Sequence, residues 1–301
     1  MATIMITGAT DGLGRALAEH LAGAGHRLVL HGRSAAKLDA TVQAVAAIDG
    51  DAVVAAELAD LSDLGEVEAL AASTATVGVD VLMNNAGVYR TPNPVTEDGL
   101  DVRFVVNTVA PWVLTQRLLP SVGSGGRIVN LSSAAQAPVD LAALAGNRRL
   151  EDMEAYAQSK LAITMWSRHL ADALGPDGPV VVAVNPGSLL ATKMVKEGFG
   201  VAGSDIGTGT DVLTRAAIGD DFADATGRYY DTTPVGSPTP IPTRWIPRRT
   251  RQSWTPSRRS SPGSTAERGA VQFERRSRRP ASSTYFHSSW KSAFIHEPRP
   301  G

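Results

Sequence analysis

The chain has 301 residues, of which 43% are hydrophobic, and it contains no cysteine. This apolar content suffices for one large α/β domain or two small ones, which excludes intrinsic disorder for most of the chain. The absence of cysteine excludes disulfides, thiolate zinc sites, iron–sulfur clusters and cysteine nucleophiles.

Two regions of opposite charge underlie the net charge of −1. Residues 234–301 hold 13 of the 29 Lys and Arg, 3 of the 30 Asp and Glu, and 10 of the 18 prolines. This segment shows neither a helix nor a strand period. We therefore expect a folded domain over residues 1–233 and a basic Pro/Ser/Arg-rich tail over residues 234–301.

Residues 1–233 alternate short apolar runs with longer helical patterns, which predicts βαβ units and a parallel sheet. The predicted strands are Thr3–Thr7, Arg27–His31, Asp51–Ala56, Val79–Asn84, Arg127–Leu131, Val180–Asn185 and an edge strand Gly227–Tyr230. The predicted helices begin near Leu13, at Ser34 as N-cap, after Ser62 and Asp63, at Gly99 and at Met153. Right-handed crossovers wind these elements into a doubly wound, Rossmann-type α/β sheet, with ligands at the carboxyl ends of the strands.

A glycine-rich turn follows the first predicted strand in the pattern T-G-x-x-x-G-x-G. Glycine allows a tight turn and a close approach of the backbone to a pyrophosphate, while the next helix offers free amides at its N-terminus. This predicts a dinucleotide site rather than an ordinary strand–helix turn. The expected contacts are Thr7, Gly8, Asp11, Gly12, Leu13, Gly14 and Arg15.

The second predicted strand ends in His31-Gly32-Arg33, where NAD-binding sheets carry an acidic residue for the ribose 2′-hydroxyl. No carboxylate occupies this place, and Arg33 is available for a 2′-phosphate. The sequence therefore favours NADP(H) over NAD, with Arg15 as a second cation. The alternative is that both arginines are solvated surface residues.

Tyr156 and Lys160 have the i, i+4 spacing that places a phenol and an ammonium one turn apart on a helix. The pair alone is a weak signal. Other polar residues strengthen the interpretation of Tyr156 and Lys160 as a functional pair. They lie at the ends of strands four and five, at Asn84–Gly87 and Ser132-Ser133, and Asn107 lies in the intervening helix. All of these are expected at the ligand-binding edge of the sheet.

In order and spacing these motifs, with Asn185-Pro186-Gly187 after strand six, resemble the short-chain dehydrogenase/reductase family over residues 1 to about 233. The resemblance implies hydride transfer between a nicotinamide and a carbonyl or alcohol carbon, with Tyr156 as general acid/base. It implies that Lys160 binds the nicotinamide ribose and lowers the phenol pKa, and that a serine polarises the substrate oxygen. Ser133 is the favoured serine and Ser132 the alternative. Asn107 would hold a water that links Lys160 to solvent.

The same resemblance implies cofactor contacts beyond the glycine turn. Asp60 and Leu61 would contact adenine, and Pro186, Gly187 and Thr192 would guide the chain around the nicotinamide. The full set implied outside the turn is Arg33, Asp60, Leu61, Asn85, Ala86, Gly87, Tyr156, Lys160, Pro186, Gly187 and Thr192.

One departure from the commonest family pattern narrows the resemblance. Ser133 and Tyr156 are separated by a longer interval than usual, because of the additional segment Val139–Glu154. This segment and the run Glu97–Leu100 resemble the branch of the retinol dehydrogenases and the WW-domain-containing oxidoreductase. The branch implies a bulky hydrophobic ketone or alcohol, such as a polyketide, steroid or retinoid.

The basic tail departs from the acidic, alanine-rich helices with which such proteins end. If the gene is read in another frame, starting at the third base of the Thr243 codon, the codons possible for the tail residues permit the sequence of an amphipathic helix. Our first hypothesis for the tail is a frame error, and the second is an inert extension. A nucleic-acid or membrane arm using Trp245, Trp254 and Trp290 ranks last.

The sequence thus predicts an NADP(H)-dependent ketoreductase or alcohol dehydrogenase without a metal. No stretch of about 18 uncharged apolar residues occurs, and the N-terminal sequence lacks signal-peptide features, so we expect a soluble, cytoplasmic protein without a membrane span. Its partner would be a hydrophobic ketone or alcohol, and it could form a homo-oligomer. The alternative function is an idle dinucleotide sensor with the same fold.

Overall fold

The computed structural model describes residues 1–187, 190, 203 and 205–232. Its described part is built around a seven-stranded parallel sheet in the order β3-β2-β1-β4-β5-β6-β7. The strands are β1 (Thr3–Ile6), β2 (Arg27–Gly32), β3 (Val53–Leu58), β4 (Val81–Asn84), β5 (Arg127–Leu131), β6 (Val180–Asn185) and β7 (Tyr229–Asp231).

Helices connect these strands and cover the sheet. They are α1 (Gly12–Gly23), α2 (Ala35–Ile48), α3 (Leu64–Val77), α4 (Val102–Phe104), a π-helical segment (Val105–Val109), α5 (Ala110–Val122), α6 (Leu141–Leu144), α7 (Asp152–Leu174) and α8 (Ile206–Ile218). Helix α1 packs against α2 and α8, whereas α3 packs against α5, and α7 packs against α4, the π-helical segment and β6. The doubly wound α/β fold predicted from the sequence is therefore confirmed.

Strand β1 lies in the interior of the sheet, between β2 and β4, where its apolar run is buried on both faces. Ile4, Met5 and Ile6 have no exposed surface, as expected for a central parallel strand. The chain adds β2 and β3 on one side of β1 and then crosses to β4 on the other side. This reversal creates a crevice at the carboxyl ends of β1 and β4, the usual ligand position in such sheets.

The predicted helix from Gly99 to Leu119 is interrupted in the structure. It begins at Val102, where the Asp101 carboxylate accepts a hydrogen bond from the Arg103 amide, and it widens into the π-helical segment at Val105–Val109. Pro111 has no N–H to donate to the carbonyl four residues earlier, which disfavours a regular α-helical turn at Asn107. The interruption places Asn107 inside this segment.

Other element boundaries differ from the predictions by a few residues. Ser34 is the N-cap residue of α2, as predicted, although its side chain makes no capping hydrogen bond. The edge strand runs from Tyr229 to Asp231 rather than from Gly227 to Tyr230. The sequence analysis did not predict α6 or α8. Among the described residues, no helix is both long and apolar enough to cross a membrane.

Candidate active site

The glycine turn after β1 is shaped by three glycines that no other residue could replace easily. Gly8 and Gly12 have positive φ angles of 65° and 49°. A Cβ atom on Gly14 would lie 2.2 Å from the Gly8 carbonyl oxygen and 2.4 Å from the Asn85 side-chain nitrogen. The first turn of α1 therefore lies directly against the loop, with the Asp11 carboxylate accepting a hydrogen bond from the Gly12 amide.

Residues after β4 hold this turn in place. The Thr7 hydroxyl accepts hydrogen bonds from the Asn85 and Ala86 amides, each at 3.0 Å, and donates to the Met83 carbonyl at 3.3 Å. The Asn85 side chain donates to the carbonyls of Thr7 at 2.8 Å and Gly8 at 3.2 Å. Thr7 and Asn85 thus connect the two strand ends that border the crevice.

The structure brings the predicted adenosine-side residues to the ends of β2 and β3. Arg33 is exposed just after β2, whereas Arg15 pairs with Glu19 at 2.8 Å. The Asp60 carboxylate accepts hydrogen bonds from the amide and hydroxyl of Ser62. Leu61 beside it is buried.

The arrangement fits the pyrophosphate of a dinucleotide. Glycines leave the backbone of the turn without side chains at positions 8, 12 and 14. Helix α1 begins at this turn, so the positive end of its dipole lies there. A Cβ atom at Gly8 would crowd Ala86, and one at Gly14 would clash with the Gly8 carbonyl, so a side chain at either position would displace the turn.

Tyr156 and Lys160 lie one turn apart on α7, where Lys160 is buried and Tyr156 is half-buried. The Lys160 ammonium lies 5.7 Å from the centre of the Tyr156 ring and donates a hydrogen bond of 2.8 Å to the Leu131 carbonyl at the end of β5. Burial lowers the pKa of Lys160 to about 8. The pair thus faces the carboxyl end of β5, beside the crevice.

The two serines after β5 have different surroundings. The Ser133 side chain lies beside the Tyr156 phenol and acts to lower the phenol pKa. The Ser132 hydroxyl is instead hydrogen-bonded to the Lys160 carbonyl at 2.9 Å and to the Thr164 hydroxyl at 2.7 Å. Ser133 is therefore the serine that adjoins the phenol, whereas Ser132 connects β5 to the backbone of α7.

Burial raises the pKa of Tyr156, and the Ser133 side chain opposes this shift. The neighbouring Tyr89 ring, 5.3 Å away in an edge arrangement, raises it further. In this structure burial affects the Tyr156 pKa more than Ser133 does. A lowering of the phenol pKa by Lys160 stays a prediction.

Asn107 joins three segments through its side chain. Its oxygen accepts a hydrogen bond from the Val88 amide at 2.8 Å, and its nitrogen donates to the Val88 carbonyl at 2.9 Å and the Ser159 hydroxyl at 3.0 Å. A water held by Asn107 would therefore bind its remaining side-chain lone pair or its main-chain carbonyl, to which Pro111 cannot donate.

A buried polar group on β7 was missed by the sequence analysis. The Tyr229 hydroxyl donates to the Ser133 carbonyl at 2.9 Å, and the Asn185 side chain donates to the fully buried Asp231 carboxylate at 2.8 Å. Tyr229 and Asp231 stand two residues apart, so they share one face of the strand. This spacing was the sequence signal from which a shared polar face could have been predicted.

A second missed group joins the π-helical region to α7. Arg103 is buried, donates to both oxygens of Asp101, and also pairs with Asp152 at the start of α7. These ion pairs connect the elements that carry Asn107 and Tyr156.

The additional segment Val139–Glu154 contacts the other feature of the branch pattern. Gly146 has a φ of 80°, and a Cβ atom there would lie 2.9 Å from the Gly99 carbonyl oxygen and 3.2 Å from Leu100. The segment also places the Asp140 amide 2.8 Å from the Gln158 side-chain oxygen on α7. The two runs that distinguish the branch therefore pack together beside the helix that carries Tyr156.

The remaining predicted residues are only partly described. Pro186 and Gly187 follow β6, and Gly87 follows the Asn85-Ala86 pair beside the glycine turn. Thr192 lies outside the described residues, as does the predicted tail. Their predicted roles stay predictions.

Comparison with known proteins agrees with this geometry. A family profile described as short chain dehydrogenase matches residues 2–199. Human retinol dehydrogenase 13 is 31% identical over 268 residues, covering 79% of this chain and 78% of that protein. Mouse retinol dehydrogenase 12 is 33% identical over 194 residues, covering 62% of this chain and 61% of that protein.

A solved structure of the landomycin C-6 ketoreductase LanV, with bound NADP and rabelomycin, has the same fold. It is 27% identical, with a TM-score of 0.61 over 77% of this chain and 94% of that chain. The protein belongs to the short chain dehydrogenase family, in the branch of the retinol dehydrogenases.

Proposed function

We propose that this protein is an NADP(H)-dependent ketoreductase or alcohol dehydrogenase for a bulky hydrophobic substrate. The observation that carries the proposal is the Ser133 side chain beside the Tyr156 phenol, with the Lys160 ammonium 5.7 Å from the Tyr156 ring. Two adjacent hydroxyls can bind one carbonyl oxygen, and a nearby cation stabilises negative charge on the phenol.

The cofactor would be held by the glycine turn and by residues at the ends of β2 to β6. When bound, the dinucleotide supplies or accepts a hydride at its nicotinamide ring. NADP(H) is favoured because Arg33 follows β2 where NAD-binding sheets carry an acid, and because LanV carries NADP. Asp60 and Leu61 would contact the adenine side, and Lys160 the ribose.

Side chains of the protein would transfer the proton that the substrate oxygen gains or loses. During reduction Tyr156 gives its phenolic proton to the substrate oxygen, while Ser133 donates a hydrogen bond to the same oxygen. During oxidation the same transfers run backwards. Lys160 and a water at Asn107 would return a proton to Tyr156 from solvent.

The substrate class rests on the additional segment and on the known proteins. The segment Val139–Glu154 packs against Gly99-Leu100 beside α7, and retinol dehydrogenases and the rabelomycin-bound ketoreductase are similar to this chain. We therefore propose a polyketide, steroid or retinoid ketone or alcohol. A cytoplasmic location and a homo-oligomer stay predictions.

The experiment is a spectrophotometric assay of NADPH oxidation with a panel of bulky ketones, in parallel with Ser133→Ala and Ser132→Ala. Loss of a hydrogen bond to the developing oxyanion should lower kcat by about 100-fold in Ser133→Ala. Ser132→Ala should mainly lower stability, by about 1–3 kcal/mol, because it leaves buried partners unpaired.

The second candidate function is an idle dinucleotide sensor. It would bind NADPH without oxidising it in the presence of any ketone of the panel. The position of Ser133 beside the Tyr156 phenol favours the enzyme, because a sensor does not need this arrangement.

A further inference from the structure

His31 lies near the end of β2 and connects two loops that border the nucleotide side of the crevice. It is only 2% exposed. The Gly8 amide donates a hydrogen bond of 3.1 Å to its Nδ1 atom, and its Nε2 atom lies 3.0 Å from the Ala59 carbonyl oxygen. One ring therefore joins the glycine turn after β1 to the segment that leads from β3 into Asp60.

The two partners fix the protonation of the ring. A backbone N–H can only donate, so Nδ1 must present a lone pair to Gly8, and a carbonyl can only accept, so Nε2 must carry the hydrogen. The neutral Nε2–H tautomer satisfies both partners. In the doubly protonated ring, two N–H groups would face each other at Gly8, and this hydrogen bond would be lost.

The main chain of His31-Gly32 holds the same two loops. The Ala9 amide donates to the His31 carbonyl at 2.8 Å, and the Ala59 amide donates to the Gly32 carbonyl at 3.2 Å. The side-chain and main-chain contacts thus fix the consecutive amides of Gly8 and Ala9. A disturbance at His31 would reach the turn that is proposed to hold the pyrophosphate.

Burial keeps the His31 ring neutral by lowering its pKa. The hydrogen bond to the Ala59 carbonyl and the Asp60 carboxylate after β3 oppose this shift with smaller effects. In the glycine turn, the Asp11 carboxylate is paired with Lys37 at 2.6 Å, and Arg33 follows on the same strand. Protonation of the ring is therefore expected only below pH 6.5, its ordinary pKa.

We propose that His31 is a positioning residue of the dinucleotide site, whose neutral ring fixes the glycine turn and whose protonation weakens cofactor binding. This inference rests on the proposed function, because it assumes that the turn holds a dinucleotide. Nothing in the proposed proton transfer at Tyr156 involves His31.

Two amide substitutions separate the contacts of the ring. In His31→Asn the side-chain oxygen can take the place of Nδ1 and accept from Gly8, whereas in His31→Gln the longer side chain can reach Ala59. Neither side chain titrates. Dissociation constants for NADPH and NADH are measured by calorimetry between pH 7.5 and pH 5. NADH is included because the 2′-phosphate of NADPH itself titrates, with a pKa of roughly 6.

The wild type should lose NADH affinity as the pH falls from 7.5 to 5, and complete loss of the Gly8 hydrogen bond would amount to about 10-fold. His31→Asn should change by less than about 2-fold over this range, because it keeps the acceptor for Gly8. At pH 7.5 His31→Gln should bind about 10-fold more weakly than His31→Asn. Equal pH dependence in the wild type and His31→Asn, or equal affinity of the two variants at pH 7.5, would overturn the proposal.

A measurement without cofactor separates this inference from the proposed function. If neither dinucleotide binds at any pH, the proposed function fails. The exchange protection of the Gly8 amide in the free protein then decides whether His31 fixes the turn. Protection that falls with pH in the wild type but not in His31→Asn supports this role, and identical behaviour of the two proteins overturns it.

Discussion

The glycine turn after β1 is held by side chains that bind main-chain groups, whereas the surroundings of Tyr156 are formed by side chains from several elements. The Asn85 side chain donates to carbonyls of the turn, the His31 ring accepts from the Gly8 amide, and the Thr7 hydroxyl accepts from amides after β4. Ser133, Asn107 and Tyr229 come from the segment after β5, the π-helical segment and β7. The proposed nucleotide site at the glycine turn therefore depends on the shape of the backbone, whereas the proposed catalytic site at Tyr156 depends on the positions of polar side chains.

The largest effect is expected on the catalytic side. Tyr156→Phe keeps the ring but removes the phenolic proton, so kcat should fall by about 1,000-fold or more, while the dissociation constant for NADPH stays within about 3-fold. Tyr230→Phe, on β7 and packed against Phe222, is the matched control and should retain activity. Full activity of Tyr156→Phe would remove Tyr156 as the proton donor.

The next effect tests the nucleotide side. Gly14→Ala places a Cβ atom 2.2 Å from the Gly8 oxygen, so the turn must move and NADPH should bind about 100-fold more weakly. Gly23→Ala on the same helix meets only Ile48, at 3.7 Å, and should bind normally. Calorimetry measures binding, and circular dichroism checks that both variants fold. Normal binding by Gly14→Ala would show that the turn does not hold the cofactor.

A smaller effect concerns the choice of dinucleotide. Arg33→Asp should lower the preference for NADPH over NADH by about 10-fold or more, because the new carboxylate repels a 2′-phosphate and accepts from a ribose hydroxyl. Arg27→Asp, at the opposite end of β2, should leave the ratio unchanged. The ratio of kcat/KM values for the two cofactors is the measurement, and an unchanged ratio in Arg33→Asp would contradict the proposed NADP(H) preference.

The smallest effect is on stability. The pKa of Lys160 is lowered from 10.5 to about 8, so between these values the unfolded state binds more protons. The free energy of unfolding should therefore gain a contribution as the pH rises from about 8 to 10.5, and lose it as the pH falls again. Lys160→Met should abolish this contribution, whereas Lys37→Met, at an exposed lysine, should keep it. Urea denaturation at several pH values measures the difference between each variant and the wild type.

The fold was largely predictable because its signals are local. Apolar runs placed all seven strands to within a few residues, and the glycine turn required only the pattern from Thr7 to Gly14. The break at Val105–Val109 could have been inferred from Pro111, but the apolar period of the segment suggested a continuous helix. Helix α8 lies beyond the last motif used in the prediction, and α6 is only four residues long.

The site was less predictable because its contacts join residues far apart in the chain. The sequence placed Tyr156, Lys160 and Ser133 at the same edge of the sheet, but only the family pattern gave them roles. The choice between Ser133 and Ser132 stays a prediction, although the two have different surroundings. The contact of Tyr229 with Ser133 spans 96 residues and has no local signal. In the sequence, His31 indicated only that no acidic residue stands at the end of the second strand. Its contacts with Gly8 and Ala59 could not be predicted, because these partners lie in other loops.

The central claim is that Tyr156 and Ser133 together bind the reacting oxygen beside the nicotinamide. The most direct measurement is a crystal structure of the protein with NADP and an unreactive analogue of a ketone that it reduces. We expect the ketone oxygen at about 2.6–3.2 Å from both hydroxyls. A bound ketone whose oxygen contacts neither Tyr156 nor Ser133 would contradict it.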